Sequence, residues 1–490
     1  MGPPKSVRTI SQQAFEGLVK ENMEDLGMDP TEALEDAIQT LTLQGVDLSG
    51  IVTCIPGVTS VNDNPVIQSL DGLRDIAATF LSTNDQKADM ISTTTDLEGM
   101  VELLDKVYAL CSIEGSGNAS VATRNGGVEL LTSICSALDV ECERPLVAAL
   151  KTLSSFLHDL QSTETFRQSC GPKIVVDILN GCNQNMNVLD SGFSVVAAAA
   201  TGNEVLKESF MDLKIDELLL QTMKGQNKGN IRSLYEALRL LLTPDDNRVL
   251  ASQVYGYARR FAQIGIAAAL VDALHEGISS PSLASASIAL KAVAVNDEIC
   301  RSIAECGGID AVLQCLDDSG EQNNKAVAKA CCSLLSKLLL VLATILTSVL
   351  VLFKLAGSDA NKSAIVEKGG LDRLITLSSR FSEDPSVLQE IMSIICALSL
   401  RSPENAARAI EAGAGDFASQ AMLKFPAASQ MQRQSCLMIR NLVVRNPENR
   451  TILLSNGIER IIRKAKENHE TCKEAAADAL RDLGLENYNS

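Results

Sequence analysis

Tryptophan is absent from these 490 residues, and aromatic side chains together make up only 3% of the chain. Sandwiches and barrels draw on aromatic and β-branched strands, so a chain this poor in aromatics and 46% hydrophobic points to stacked helices. Histidine is nearly absent too: His158, His275 and His469 stand alone in distant parts of the sequence. There is no HExxH, no CxxC and no Cys/His spacing of zinc type. No nucleophile–base set can be assembled, so the expectation is a non-enzymatic protein with no catalytic residues, no metal, no cofactor and no small-molecule substrate. Positive charge is also short, 43 Lys and Arg against 61 Asp and Glu, for a net charge of −18. That balance opposes whole-molecule attraction to nucleic acid or to an anionic membrane.

The fourteen cysteines are scattered, and the opening MGPPKSVRTISQQAF lacks the apolar core of a signal peptide. Both features suggest reduced, mostly buried thiols in a cytoplasmic or nuclear protein. The N-x-S/T triplets at Asn118, Asn361 and Asn449 are then not glycosylation sites.

What the chain does have is a repeated phrase. "NASVATRNGGVELL", "NKSAIVEKGGLDRLI", "NAARAIEAGAGDFA" and "NRTILLSNGIERII" each place Gly eight residues after Asn, at Gly126, Gly369, Gly413 and Gly457. "FRQSCGPKIVVDIL", with Gly171, and "CRSIAECGGIDAVL", with Gly307, are variants of it. "TPDDNR", "SPENAA" and "NPENRT" precede the phrase with a capping residue, Pro at the first helical position and acids in the first turn. Gly supplies the left-handed turn that ends this short helix. A second helix follows, such as Val128–Leu138 or Leu371–Leu377, and then a longer third, such as 432–445. Gly369, Gly413 and Gly457 are 44 residues apart, and Gly126 and Gly171 are 45 apart. A three-helix unit of this period falls in the armadillo/HEAT range, and the Gly-ended first helix favours armadillo.

Two intervals break the period. One excess falls in "SQVYGYARRFAQ" (252–263), which reads as a long loop. The other contains the most apolar run of the chain, "LLLVLATILTSVLVLFK", residues 338–354. Joining Lys337 to Leu355 restores the period, so this run is an insertion and not part of the repeat frame. It is also shorter than the roughly 20 residues that span a bilayer. Its readings are a translated intron or splice variant, or a helix extended by roughly 25 Å that exposes an apolar patch.

Residues 1–60 carry nine acids and three bases. They read as two amphipathic helices, one over 11–26 with Phe15, Leu18, Val19 and Met23 on a stripe. The other starts at the Asp29–Pro30 cap and carries Ala33, Leu34, Ala37, Ile38 and Leu41. This pair is either a polar cap for the first repeat or a separate docking element. The block "FEGLVKENMEDLGMDPTEALEDAIQTLTLQGVDLSGIV", the repeats and the ending "AAADALRDLGL" together resemble the armadillo repeat-containing protein 6 family. The resemblance implies a cytosolic or nuclear armadillo protein and supplies no catalytic residues; the insertion departs from the family pattern. The expected fold is all-α: an armadillo-repeat right-handed superhelical solenoid with an N-terminal helical module. Residues 1–52 form the module, 53–95 a linker and capping-helix region, and 96–490 about eight units with the insertion at 338–354.

Function then lies on the surface. Armadillo third helices of the import-receptor and β-catenin types grip an extended peptide with a ladder of Asn amides. Here Asn441 holds that place, while Ala397 and Ala292 stand at the equivalent positions. Binding is therefore expected to use specific side chains. Between 401 and 490 there are 13 bases and 11 acids, and Arg433 and Arg445 flank Asn441 as a site for an acidic peptide. Tyr255, Tyr257, Arg259, Arg260 and Phe261 form the second candidate contact, since Tyr and Arg favour hot spots. The leading expectation is a protein-binding adaptor. The alternative is a membrane-associated or self-associating scaffold that uses the apolar 338–354 helix.

Overall fold

The structure, a computed structural model, describes residues 8–83, 90–113, 115–139, 141–182, 184–225, 231–244, 251–340, 361–486 and 488. Among these the protein is α-helical apart from one two-stranded parallel sheet, in which Arg8–Thr9 pairs with Val46–Asp47. Two compact units divide the chain. One comprises Met1–Leu218 with Glu236–Asn247, the other Leu219–Tyr235 with Arg248–Ser490.

The first unit opens with the expected helix pair, Gln12–Glu24 and Pro30–Leu43, the second capped by the Asp29 side chain with Pro30 at its start. Phe15, Val19, Ala33, Ala37 and Leu41 interlock with Ile51 in a small core of their own, with Leu18, Met23, Leu34 and Ile38 around it. The stretch read as a linker is seated at its start: Cys54, with Val52 at the end of the module, packs with Ile67 and Val121 of the first repeats. Gln12 fixes it by exchanging two hydrogen bonds with the Val52 backbone, both 2.9 Å. Helices Pro65–Thr83 and Met90–Cys111 pack together, and the latter begins a stack with Glu143–Phe156 and Met186–Ala200.

The repeat phrase has a structural cause in both units. Its Asn, half-buried at 118 and buried at 361, 405 and 449, follows a third helix whose last carbonyls have no partner within the helix. Asn118 donates to Leu110 O (2.9 Å) and Asn405 to Leu398 O (3.1 Å). The left-handed turn occurs at Gly126, Gly265, Gly307, Gly369, Gly413 and Gly457. One expectation is corrected here: the residue in that turn is Cys170 (φ 59°), not Gly171, and Lys214 (φ 59°) holds the next one. Gly171 instead begins the second helix, where a Cβ would lie 2.2 Å from the Phe166 ring. With Cys170 and Lys214 as markers, the steps from Gly126 are 44 and 44 residues.

In the second unit the third helices Leu283–Val293, Lys325–Leu340, Pro385–Ser399, Ser429–Val443 and Lys473–Asp482 pack each on the next. The stack runs directly from Lys325–Leu340 to Pro385–Ser399, and Lys325 forms an ion pair with Asp384 at the start of the latter. Lys368–Asp310 (2.7 Å) and Arg373–Asp317 (2.7 Å) tie the same two repeats. Of the 338–354 insertion, Leu338–Leu340 continue the third helix, with Leu338 and Leu339 buried. Residues 341–354 lie outside the described residues, and with them most of the extended-helix reading. Among the described residues no helix is long and apolar enough to cross a membrane.

The stretch 252–263 is not a loop. It belongs to the helix Ala251–Gln263, thirteen residues where the first helices Leu160–Gln168 and Pro403–Glu411 have nine. Its apolar residues sit three apart, so Ala258 and Phe261 share one buried face. Four of the extra residues lengthen this first helix.

Ten of the fourteen thiols are buried, including Cys331 and Cys332, and burial alone pushes the Cys135 thiol up to about 12. The few aromatics go to the core as well: Phe15, Phe156, Phe166, Phe193, Phe210 and Phe261 are fully buried.

Candidate protein-binding surface

The stacked third helices of the second unit are held in register by pairs one repeat apart. Ser287 Oγ meets Cys331 Sγ at 3.6 Å, Lys291 Nζ donates to Ser333 Oγ at 2.5 Å, and Ser435 Oγ donates to Met392 Sδ at 3.0 Å. Arg440 reaches both Asp478 (3.0 Å) and Asp482 (3.2 Å). Between these braces the outer face of each helix differs: Ile288 on the first, Lys329 on the next, Gln389 and Ser393 on the third, Arg433 and Leu437 on the fourth.

Asn441 lies within this stack but its amide is engaged. Its Nδ2 donates to Cys396 O at 2.9 Å and approaches Cys396 Sγ at 3.2 Å, bracing two third helices. Burial pushes the Cys396 thiol up to about 12, although this amide and Arg440 pull the other way. Arg433 is exposed on the same helix. Arg445 is exposed too, but the helix ends at Val443, so Arg445 stands in the following turn and not one helical turn beyond Asn441. Much of the C-terminal basic cluster is already used: Arg440 in ion pairs, Arg463 with Glu459 (2.9 Å), Arg450 on Val443 O (3.1 Å), Lys466 on Tyr488 O (2.7 Å).

The second candidate set sits in a different repeat. Phe261 is a core side chain, which removes it from the surface. Arg259 is exposed, while Tyr257 and Arg260 are half-buried. The side chain of Tyr255 lies outside the described residues. The sequence does carry a signal that the reading above passed over: Lys325, Lys329, Ser333 and Lys337, four apart on one helix.

Two of the three histidines, His158 and His469, are engaged by neighbouring groups. His158 Nε2 pairs with Ser120 Oγ (3.0 Å) and its Nδ1 with Phe156 O (2.7 Å), and His469 Nε2 lies 2.6 Å from Pro426 O. Among the described residues no three His, Cys, Asp or Glu converge as a metal site. A cleft of about 420 Å³ lies in the first unit between the N-terminal module and the first repeats. Ile10, Ser11, Gln12, Gly50, Arg124 and Gln161 line it.

Repeated three-helix units with a left-handed turn between the first two helices, stacked through their third helices, define an all-α armadillo-repeat protein. The description "Armadillo repeat-containing protein 6 N-terminal domain" matches residues 7–70. The human Armadillo repeat-containing protein 6 is 26% identical over 403 residues, covering 81% of this chain and 75% of its own. The Drosophila melanogaster homolog is 24% identical over 416 residues, covering 83% and 80%. An engineered protein solved by crystallography superposes with a TM-score of 0.60 at 16% identity, over 87% of this chain and 97% of its own, a likeness of fold alone. The resemblance to the armadillo repeat-containing protein 6 family is borne out, at low identity and over about four fifths of the chain.

Proposed function

We propose that this protein is a non-enzymatic scaffold that binds a segment of a partner protein along its stacked third helices, in the cytoplasm or nucleus. The observation that carries this is the unbroken packing of the helices from Leu283–Val293 to Lys473–Asp482, whose outward residues change from repeat to repeat. Such a face offers several side-chain contacts at fixed spacing, the arrangement by which a rigid surface discriminates sequences. Generic backbone reading through an Asn ladder is not supported, because Asn441 is spent on Cys396. The scarcity of histidine and the structural use of His158 and His469 support the non-enzymatic reading.

The test is selection of a displayed random-peptide library on the full chain. We expect enriched peptides whose binding falls at least tenfold when residues on these helices, such as Lys329, Gln389 or Arg433, are replaced by Glu. If every enriched peptide tolerates all such substitutions, the third-helix surface is not the binding face.

A further inference from the structure

Lys329, Ser333 and Lys337 follow one another every four residues on the helix Lys325–Leu340 and form one row. From the preceding third helix Lys291 reaches across, and its ammonium donates to Ser333 Oγ at 2.5 Å. Three lysines thereby share the face where the two helices pack. All three side chains are half-buried. Among the described residues none has a carboxylate within ion-pair distance, whereas Lys325, one turn before Lys329, is held by Asp384. A row of lysines without a paired carboxylate favours the approach of an anion.

We infer that this face is a docking site for an acidic peptide segment of a partner protein. Ser333 accepts from Lys291, which leaves its own O–H proton to donate to an incoming carboxylate. Lys329 and Lys337 are about 12 Å apart along the helix, the reach of about four residues of extended chain. Two carboxylates at that spacing can meet both lysines. The inference rests on the protein-binding reading above and moves the acid-binding locus away from the last repeats, where Arg440 is already paired with Asp478 and Asp482.

The experiment titrates the full chain into a fluorescein-labelled decaglutamate peptide and follows anisotropy. We expect saturable binding at 50 mM NaCl that weakens by 300 mM, as screening of exposed charges requires, and no binding of the decaglutamine control. Lys291→Gln, Lys329→Gln and Lys337→Gln combined should weaken it about tenfold or more, each exposed ion pair contributing a factor of roughly two to five. Lys329 and Lys337 carry no ion pair among the described residues, so replacing these two should leave the melting temperature unchanged, and Lys291→Gln should lower it slightly by removing the Ser333 bond. The double variant Lys329→Gln/Lys337→Gln, which leaves the Lys291–Ser333 bond intact, should lose most of the same affinity. Arg433→Gln/Arg445→Gln should change it less than twofold. Equal binding by the triple variant, or preference for a 20-nucleotide RNA or phosphatidylserine vesicles over the peptide, overturns the inference. So does failure of decaglutamate where library peptides still bind through these helices, and in that case the protein-binding reading stands.

Discussion

Asn449 donates its side-chain amide to two carbonyls, Leu442 O at 2.8 Å and Ala406 O at 3.2 Å. The first ends the third helix just before it, and the second belongs to the first helix of the previous repeat. One buried amide thus caps a helix and joins two repeats, which is why Asn recurs at the head of the repeat phrase.

Asn449→Ala should therefore cost about 1–3 kcal/mol, the penalty for leaving buried carbonyls without a donor. Hydrogen exchange in the helices Pro447–Ser455 and Ile458–Asn468 reads this locally, and their protection should fall by one to two orders of magnitude. Because Asn449 is buried, its N-R-T triplet should also stay unmodified if the folded protein is offered to a glycosyltransferase.

The two glycines of "KGGLD" should fail for different reasons. Gly369 occupies φ 72°, whereas a Cβ on Gly370 would lie 2.6 Å from Ile365 Cγ2 and 2.7 Å from Ile365 O. Gly370→Ala should destabilise by about 1–3 kcal/mol through overpacking. Conversely, Lys214 holds the same left-handed turn without being glycine, so Lys214→Gly should stabilise by about 0.5–1 kcal/mol. Urea midpoints of the two variants should move in opposite directions.

Asp384 gives stability an acid limb. Burial opposes its ionisation, but the Lys325 ammonium, the Ser386 hydroxyl and the backbone N–H groups of Ser386 and Val387 outweigh it and take the carboxyl down to about 2. A folded value below the ordinary 3.9 means the contribution, about 2 kcal/mol, is present above that value and lost as pH falls toward 2. Urea midpoints from pH 6 to pH 2.5 should show the loss in the wild type, and Asp384→Asn should flatten this part of it.

Deletion of residues 338–354 should leave the repeat stack intact. The helices Lys325–Leu340 and Pro385–Ser399 already pack on each other, and Leu355 and Ala356 would follow Lys337 in place of Leu338 and Leu339. We expect the same far-ultraviolet circular dichroism per residue and a melting temperature within about 3 °C, for a change of under about 1 kcal/mol. Vesicle flotation and light scattering of both chains test the scaffold alternative, which requires the full chain alone to float or associate.

The repeat frame was legible because local chemistry writes it: Pro after a cap, Asn eight residues before a glycine, apolar residues three and four apart. The helix pair at the N-terminus was legible for the same reason, with Asp29 and Pro30 marking its second start. The sequence by itself thus determined the helical class and the 44-residue unit. Only tertiary structure decided which amides and charges remain for a partner. Asn441 is taken by Cys396, Arg440 by Asp478 and Asp482, and Phe261 by the core, each through contacts with residues far away in sequence or on another helix. Left-handed turns likewise occur at Cys170 and Lys214, where the residue type gives no local signal for them. Spacing along one helix fixes which side chains share a face, but whether that face finds its counter-charges depends on what the next repeat brings against it.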